Sequence, residues 1–255
     1  MDGGMIEINK IYCEDCLETM ARMQDNFIDI VVTSPPYNFG NGRKNGDRRK
    51  NNIKRYNEYK DNLSKEEYFD ISSNWINEML RVTKYHIFYN IQEHRRNMGI
   101  IDFLRNQFKA YLKETFIWAK TNPPCSIEPT VCGRGFEYIF CFSKDAPESF
   151  KFNYCNFSSR DGDYVNTSII KAVNNNKESG KHSFAFPEFI PEYFIKYFSK
   201  KNALIYDPFL GSGTTVKMAV KLNRNWIASE ISAEYVYEIA EKRISYEKSK
   251  LKLAL

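Results

Sequence analysis

Two short stretches hold residues whose types and order could carry chemistry. In the first, Ile30-Val31-Val32 runs into Thr33-Ser34-Pro35-Pro36-Tyr37. An apolar run, reading as a buried strand, ends in a hydroxyl, two prolines and an aromatic ring. Proline fixes its own φ and restricts the residue before it, so Ser34 and Tyr37 are presented by a rigid turn. In the second, Asp207-Pro208-Phe209-Leu210-Gly211-Ser212-Gly213-Thr214-Thr215 follows the apolar run Ala203 to Tyr206. Its glycines let the backbone come close to a ligand, and the helix start behind them offers free N–H groups to a carboxylate or phosphate. The next strand, Trp226 to Ser229, ends in Glu230. An acidic residue about 20 positions beyond a Gly turn is where a ribose diol is held. Strand, Gly turn, helix and strand-end Glu together describe a site for a nucleoside-bearing cofactor.

Neither of the common nucleotide fingerprints fits this turn. A P-loop needs a Lys before its Thr and a longer Gly spacing, and a dinucleotide turn needs a third Gly three residues on. The broken fingerprint disfavours a nicotinamide oxidoreductase, in which Pro-Pro-Tyr would also have no role. Each motif alone also fits a plain structural turn, with a packing Tyr in one and a surface Glu in the other. Their joint presence, each in a strand-end context, favours a site.

The scaffold can be read around them. Ile6 to Tyr12 reads as a short strand and Leu17 to Met23 as a helix. Ile28 to Val32 is apolar on both faces, as in a parallel sheet covered on both sides. Ser64 and Glu67 form a capping box opening a helix with Phe69, Ile71, Trp75, Ile76, Met79 and Leu80 on its apolar side. Tyr85 to Ile91, Thr115 to Ala119 and Tyr138 to Phe142 read as strands, and Met98 to Phe108 as a helix. Pro187 to Phe198 is a helix with Pro at its start. A helix runs from the Gly turn to about Leu222, and Ser232 caps a last one. Strands alternating with helices indicate an α/β fold with a largely parallel sheet. Ligands in such folds bind beyond the carboxyl ends of the strands, where both motifs fall. Residues 38–60 read as a long basic loop, and 145–181 as a polar, irregular segment.

Composition sets outer bounds. At 255 residues, one large domain spanning 1–255 is expected. The net charge of +5 fits a polyanionic partner. Cysteines stand at 13, 16, 125, 132, 141 and 155; Cys13 and Cys16 have the spacing of a zinc half-site, but no second close pair completes it. No metal is expected, and buried free thiols are the preferred reading. No apolar run reaches membrane-spanning length, and the N-terminus lacks a signal pattern. A cytoplasmic protein with no membrane association is expected.

The ordered motifs resemble the amino-group DNA methyltransferases of the β arrangement, which use S-adenosylmethionine and place the catalytic segment before the cofactor loop. "IYCEDCLETM" and "DNFIDIVVTSPPYN" match the family's opening. "FEYIFCFSK" matches a middle strand, "KHSFAFPEFIPEYFIKYFSKKNALIYDPFLGSGTT" the cofactor segment and "NRNWIASEISAEYV" the ribose strand. The resemblance implies a Rossmann-like class I methyltransferase fold. Its sheet would be mostly parallel and twisted, with helices on both faces, circularly permuted motif order and a small target-recognition insertion. It also implies S-adenosylmethionine as cofactor. Asp207, Phe209, Gly211 and Gly213 would shape the methionine pocket, with Thr33 and Ser212 beside them and Thr214 and Thr215 starting the helix. Glu230 would bind the ribose hydroxyls, Asp15 would lie near the adenine, and Ser183, Phe186 and Pro187 would help close over the methionine end. One departure is that the family often has Gly after the Lys near position 84; "RVTKYHIFYN" implies a shortened turn.

The same resemblance gives Ser34-Pro35-Pro36-Tyr37 a catalytic role. An exocyclic amine on a base is a poor nucleophile because its lone pair is delocalised into the ring. Acceptors on its two N–H groups favour a pyramidal nitrogen as the methyl arrives. The Ser34 hydroxyl and the Pro35 carbonyl are suitable, and the prolines pre-aim them. Tyr37 offers a face on which a flipped base can stack. Ser before Pro-Pro-Tyr is associated in this family mainly with cytosine N4, and Asp or Asn with adenine N6, so N4 methylation of cytosine is expected and adenine N6 is the alternative. More distant alternatives are an RNA methyltransferase and a catalytically silent DNA-binding module. Double-stranded DNA is the expected partner. Arg43, Lys44, Arg48, Arg49, Lys50, Lys54 and Arg55 would contact its phosphates. Residues 145–181, with Arg160, would read sequence. A restriction–modification role is expected, with a cognate restriction endonuclease acting on the same site, and homodimers occur in this family.

Overall fold

The computed structural model describes residues 5–40, 61–123, 130, 132–146, 151–152, 155, 167–173 and 187–253. Eight strands form one sheet in the order β1-β8-β7-β2-β3-β5-β4-β6. They are β1 (Lys10–Tyr12), β2 (Ile28–Thr33), β3 (Thr83–Ile91), β4 (Leu112–Lys120), β5 (Phe136–Phe142), β6 (Ile169–Ala172), β7 (Leu204–Asp207) and β8 (Asn225–Ser229). The helices are α1 (Cys16–Ala21), α2 (Lys65–Val82), α3 (Ile100–Gln107), α4 (Phe189–Phe198), α5 (Thr214–Lys221) and α6 (Glu241–Leu253). This is a Rossmann-like α/β architecture with a mostly parallel sheet.

Alternation along the central strands explains the layers. Ile30 and Val32 of β2 enter one apolar cluster with α4, α5 and α6. Val31 of β2, with Ile87 and Tyr89 of β3, enters a second cluster with α1, α2 and α3. Helices therefore cover both faces, and Ile30, Val31 and Val32 of β2 run consecutively apolar because both faces are covered there. Phe88, Phe116, Phe194 and Phe198 fill the first cluster, with the Phe88 and Phe194 rings stacked at 4.1 Å.

Strand direction decides what reaches the functional edge. β1, β8, β7, β2 and β3 are mutually parallel, so their carboxyl ends lie along one edge. β5 runs antiparallel to both neighbours, β3 and β4. Its beginning, not its end, therefore joins that edge. Trp118 pairs with Glu137, and Ile91 with Tyr138.

Several expectations need correction. The segment 145–181 is not wholly irregular, because β6 adds to the sheet by parallel pairing with β4. The last helix is not uniform: Tyr235–Ala240 is π-helical before α6 begins. Ser232 opens it through its carbonyl, which accepts from Val236 N at 3.1 Å. The helix read from Pro187 starts at Phe189. The missing Gly near Lys84 has a simple outcome, since α2 ends at Val82 and β3 begins at Thr83 with no turn between. The capping box is present in both directions, Ser64 with Glu67. Cys16 and Cys141 are buried free thiols, and burial pushes both thiols up. Cys13 and Cys132 are exposed and Cys155 is half-buried, so thiol burial is only partial. Among the described residues no cluster of His, Cys, Asp and Glu could hold a metal, and no helix is long and apolar enough to cross a membrane.

Candidate active site

The two motifs meet because β2 and β7 are neighbours. The Thr33 hydroxyl, at the end of β2, donates to Asp207 Oδ1 at the end of β7 over 2.7 Å. Asp207 Oδ1 also accepts from Phe209 N at 3.1 Å, which turns the chain out of the strand. The Thr215 hydroxyl donates to the Val32 carbonyl at 3.3 Å and ties the start of α5 to β2. Asp207 is 2% exposed. Burial pushes its carboxyl up to about 6, and the hydrogen bonds from Thr33, Phe209 N and Thr215 hold it back.

The Gly turn has the backbone its sequence implied. Gly211 and Gly213 have φ of 50° and 80°. Gly213 is needed for space as well, since a Cβ there would lie 3.2 Å from Ala240 Cβ in the π-helical turn. Arg243 of α6 braces the same loop, donating to the Ser212 carbonyl at 2.6 Å and to the Ser212 hydroxyl at 3.0 Å. Its other nitrogen reaches Glu188 at 3.1 Å, where Lys217 also donates at 2.8 Å. The side chains of Ser212, Thr214 and Thr215 are buried. What this turn can offer a ligand is therefore its backbone.

Glu230 lies beside it. One carboxylate oxygen accepts from Gly211 N at 2.7 Å and the other from Ser232 N at 2.9 Å. Its own N–H donates to the Tyr12 carbonyl at 3.0 Å, which draws the end of β1 alongside. Asp15 follows on that side and caps α1, accepting from Leu17 N at 2.8 Å. Phe209 meets Trp75 edge-on at 4.7 Å, and Pro187 stands at the start of α4, its carbonyl accepting from Ile190 N. A left-handed Gly turn, an acid holding its N–H and a buried Asp below suit a nucleoside-bearing cofactor better than a simple structural turn. Ser183 and Phe186 lie outside the described residues, as do Arg43, Lys44, Arg48, Arg49, Lys50, Lys54, Arg55 and Arg160.

The segment after β2 is held from several sides. The buried Tyr68 hydroxyl donates to the Pro36 carbonyl at 2.8 Å. The Tyr37 carbonyl is met by His94 Nε2 at 2.6 Å and by Asn97 Nδ2 at 3.1 Å. Phe39 stacks on the His94 ring at 4.3 Å. Gly40 N donates to the Asp61 carbonyl at 2.5 Å, so residues 40 and 61 adjoin. Tyr37 itself is half-buried. Its hydroxyl lies 2.9 Å from Ser34 Oγ, 2.9 Å from Glu137 Oε2 and 2.6 Å from Asn90 Nδ2. Glu137 Oε1 pairs with Lys120 at 2.8 Å, both side chains almost fully buried. Burial and the Glu137 charge push the Tyr37 phenol well up.

Residues 28–242 match the N6/N4 family of DNA methylases. The chain belongs to this family. Among its relatives is the type II methyltransferase M.HpaI of Haemophilus parainfluenzae, 27% identical, with the alignment covering 93% of this chain and 74% of the relative. The solved PvuII DNA methyltransferase, described as cytosine-N4-specific, superposes with a TM-score of 0.66 at 20% identity, over 97% of this chain and 94% of that one. A DNA modification methylase from Thermus thermophilus, solved with S-adenosyl-L-methionine, also gives 0.66, at 18% identity over 93% and 95% of the two chains.

In this methylase the sequence reading missed Asn90, Lys120, Glu137, Glu188 and Arg243. A signal existed for one of them. Glu137 is the single charge in the otherwise apolar β5, where an unpaired charge would be costly. Asn90, Lys120, Glu188 and Arg243 have no local signature.

Asp207 makes a pH-dependent contribution that can be measured. Its folded value, about 6, is above the ordinary 3.8. The contribution is therefore present below about pH 4 and is lost as pH rises through 6. Asp207→Asn has no such loss and keeps an acceptor for Thr33. In urea unfolding, the variant should gain on wild type by on the order of 2–3 kcal/mol between pH 4 and pH 7. A difference that stays flat over this range would show that the carboxyl is not held up.

Proposed function

We propose that this DNA methylase transfers a methyl group from S-adenosylmethionine to the N4 amine of a flipped cytosine in duplex DNA. One observation carries the reading: the 2.7 Å bond from Thr33 to Asp207 sets the Ser-Pro-Pro-Tyr segment directly beside the Gly turn. An amine held by the first would meet a cofactor held by the second. The Ser34 hydroxyl and the Pro35 carbonyl accept from the amine, favouring the pyramidal nitrogen of the transition state. The two prolines, with Tyr68 on the Pro36 carbonyl, keep those oxygens from reorienting.

Bound at the Gly turn, the cofactor supplies an electrophilic methyl group. Gly211 and Gly213 let the backbone approach its methionine end, with Ser183, Phe186 and Pro187 closing over it. Glu230, which holds Gly211 N and Ser232 N, takes the ribose hydroxyls. Asp15 stands on the adenine side. Tyr37 provides the stacking face for the base. Ser34 rather than an acidic residue before Pro-Pro-Tyr favours cytosine, and the likeness in fold to a cytosine-N4-specific enzyme is compatible with that.

Duplex DNA enters at the edge where residues 40 and 61 adjoin. The basic residues from Arg43 to Arg55 contact its phosphates, and the segment 145–181, with Arg160, reads its sequence. Relatives named as type II methyltransferases support a restriction–modification role, with a cognate endonuclease cutting the same site. Homodimerisation belongs to this proposal as well.

Purified protein incubated with unmethylated genomic DNA and cofactor should yield N4-methylcytosine by nucleoside mass spectrometry. N6-methyladenine alone would overturn the choice of base. Glu230→Ala should weaken cofactor binding by about 1.5–3 kcal/mol in calorimetry, since charge-assisted ribose bonds are lost; unchanged affinity would place the ribose elsewhere. Replacing Arg48, Arg49 and Lys50 together by Ala should lower affinity for all duplexes and flatten its salt dependence. An unaltered salt slope would remove these residues from the phosphate contacts.

A further inference from the structure

The polar cluster beneath Ser34 has a direction, and donor counting reveals it. A carboxylate accepts hydrogen bonds and cannot donate them. Glu137 is paired through Oε1 with Lys120 at 2.8 Å. Its Oε2 lies 2.9 Å from the Tyr37 hydroxyl and 2.8 Å from Asn90 Nδ2. Tyr37 has one proton to give. The Asn90 carbonyl is also within reach, at 3.4 Å, but the nearer, charged oxygen of Glu137 is the stronger acceptor. The Tyr37 proton therefore points at Glu137.

The consequence passes outward. With its proton committed, the Tyr37 oxygen can only accept, and it does so from Asn90 Nδ2 at 2.6 Å. The remaining neighbour, Ser34 Oγ at 2.9 Å, must then be a donor to Tyr37. A hydroxyl has one proton and two lone pairs. With the proton turned inward, the half-exposed Ser34 presents only lone pairs to the pocket.

We infer that Glu137, anchored by Lys120, is a specificity-determining positioning residue that fixes the Ser34 hydroxyl as an acceptor through Tyr37, so that the site takes a base with an exocyclic amine and rejects one with an oxo group there. This rests on the amine methylation proposed above. A cytosine offers N–H at that position. A uracil offers only a carbonyl oxygen, which would face the Ser34 lone pairs with no proton between them. Sites built around a specific hydrogen-bond partner reject the analogue lacking it because buried polar groups are left unpaired.

Glu137→Gln breaks the chain of donors. Lys120 keeps the amide oxygen on its own side, so the amide nitrogen falls where Oε2 was. It is a donor to Tyr37 and also faces Asn90 Nδ2, so the Tyr37 proton loses its acceptor at position 137 and the Ser34 proton is no longer held inward.

The test compares duplexes carrying cytosine or uracil at the methylated position, each opposite an abasic site so that extrusion costs the same. Affinity is measured by fluorescence anisotropy with S-adenosylhomocysteine present. Wild type should prefer cytosine by at least about tenfold, and Glu137→Gln should bring the two within about threefold. Cofactor affinity should not change. If Glu137→Gln fails to fold, Tyr37→Phe serves, because it keeps the Glu137–Lys120 pair and removes only the linking hydroxyl; the same narrowing is expected. A wild-type ratio near one, or a ratio that the folded variant leaves unmoved while turnover falls, overturns the inference. Nucleoside mass spectrometry on the wild type separates this from the choice of base. If the product is N6-methyladenine, the cytosine reading fails, and adenine against hypoxanthine becomes the pair that tests Glu137.

Discussion

The bond between Thr33 and Asp207 is the constraint on which the site depends. It joins two strand ends 174 residues apart in sequence. Both partners are almost fully buried, so the bond forms away from competing water, and losing Asp207 would remove the acceptor of both Thr33 and Phe209 N. On one side of it the chain turns into Ser34 and the prolines; on the other it turns into the Gly loop. Thr215, reaching back to Val32, repeats the link one layer deeper. The distance between the two motifs is thus set by neighbouring strands of a packed sheet, not by loops.

The Gly loop is rigid for a different reason. Its backbone is left-handed at two glycines, and its outer face is filled by the π-helical turn and by Arg243. Arg243 and Lys217 converge on Glu188, at the entry to α4. The C-terminal helix, the loop and the segment after Pro187 are therefore one braced unit. Glu230 closes the remaining side by binding Gly211 N and Ser232 N. A ligand at this turn would meet preformed backbone, which lowers the ordering cost of binding.

The edge that carries Ser34 and Tyr37 gains its charge from one reversed strand. Had β5 been parallel to its neighbours, its first residues would lie at the opposite edge of the sheet. Because it runs antiparallel to β3 and β4, Glu137 arrives beside Asn90 and Lys120. There a buried ion pair meets the Tyr37 hydroxyl. Such a pair adds little net stability once desolvation is counted, which is consistent with a role in orienting neighbours.

The amino-acid sequence by itself determined the strand ends and what stands on them. Ser34-Pro35-Pro36-Tyr37 and Asp207 to Thr215 are contiguous, and their backbone demands are local: two prolines for rigidity, two glycines for positive φ. Glu230 was legible because its spacing from the turn follows from one helix and one strand. The two-faced burial of β2 was legible in the consecutive Ile30, Val31 and Val32. Tertiary structure alone decided which strands adjoin, and so decided that Thr33 meets Asp207. It also placed a strand in 169–172 that four residues could not announce, and it gathered Asn90, Lys120, Glu137, Glu188 and Arg243. The physical reason is that these side chains act only through partners tens of residues away. Hydrogen-bond direction and charge pairing depend on strand order and orientation, which no local spacing encodes.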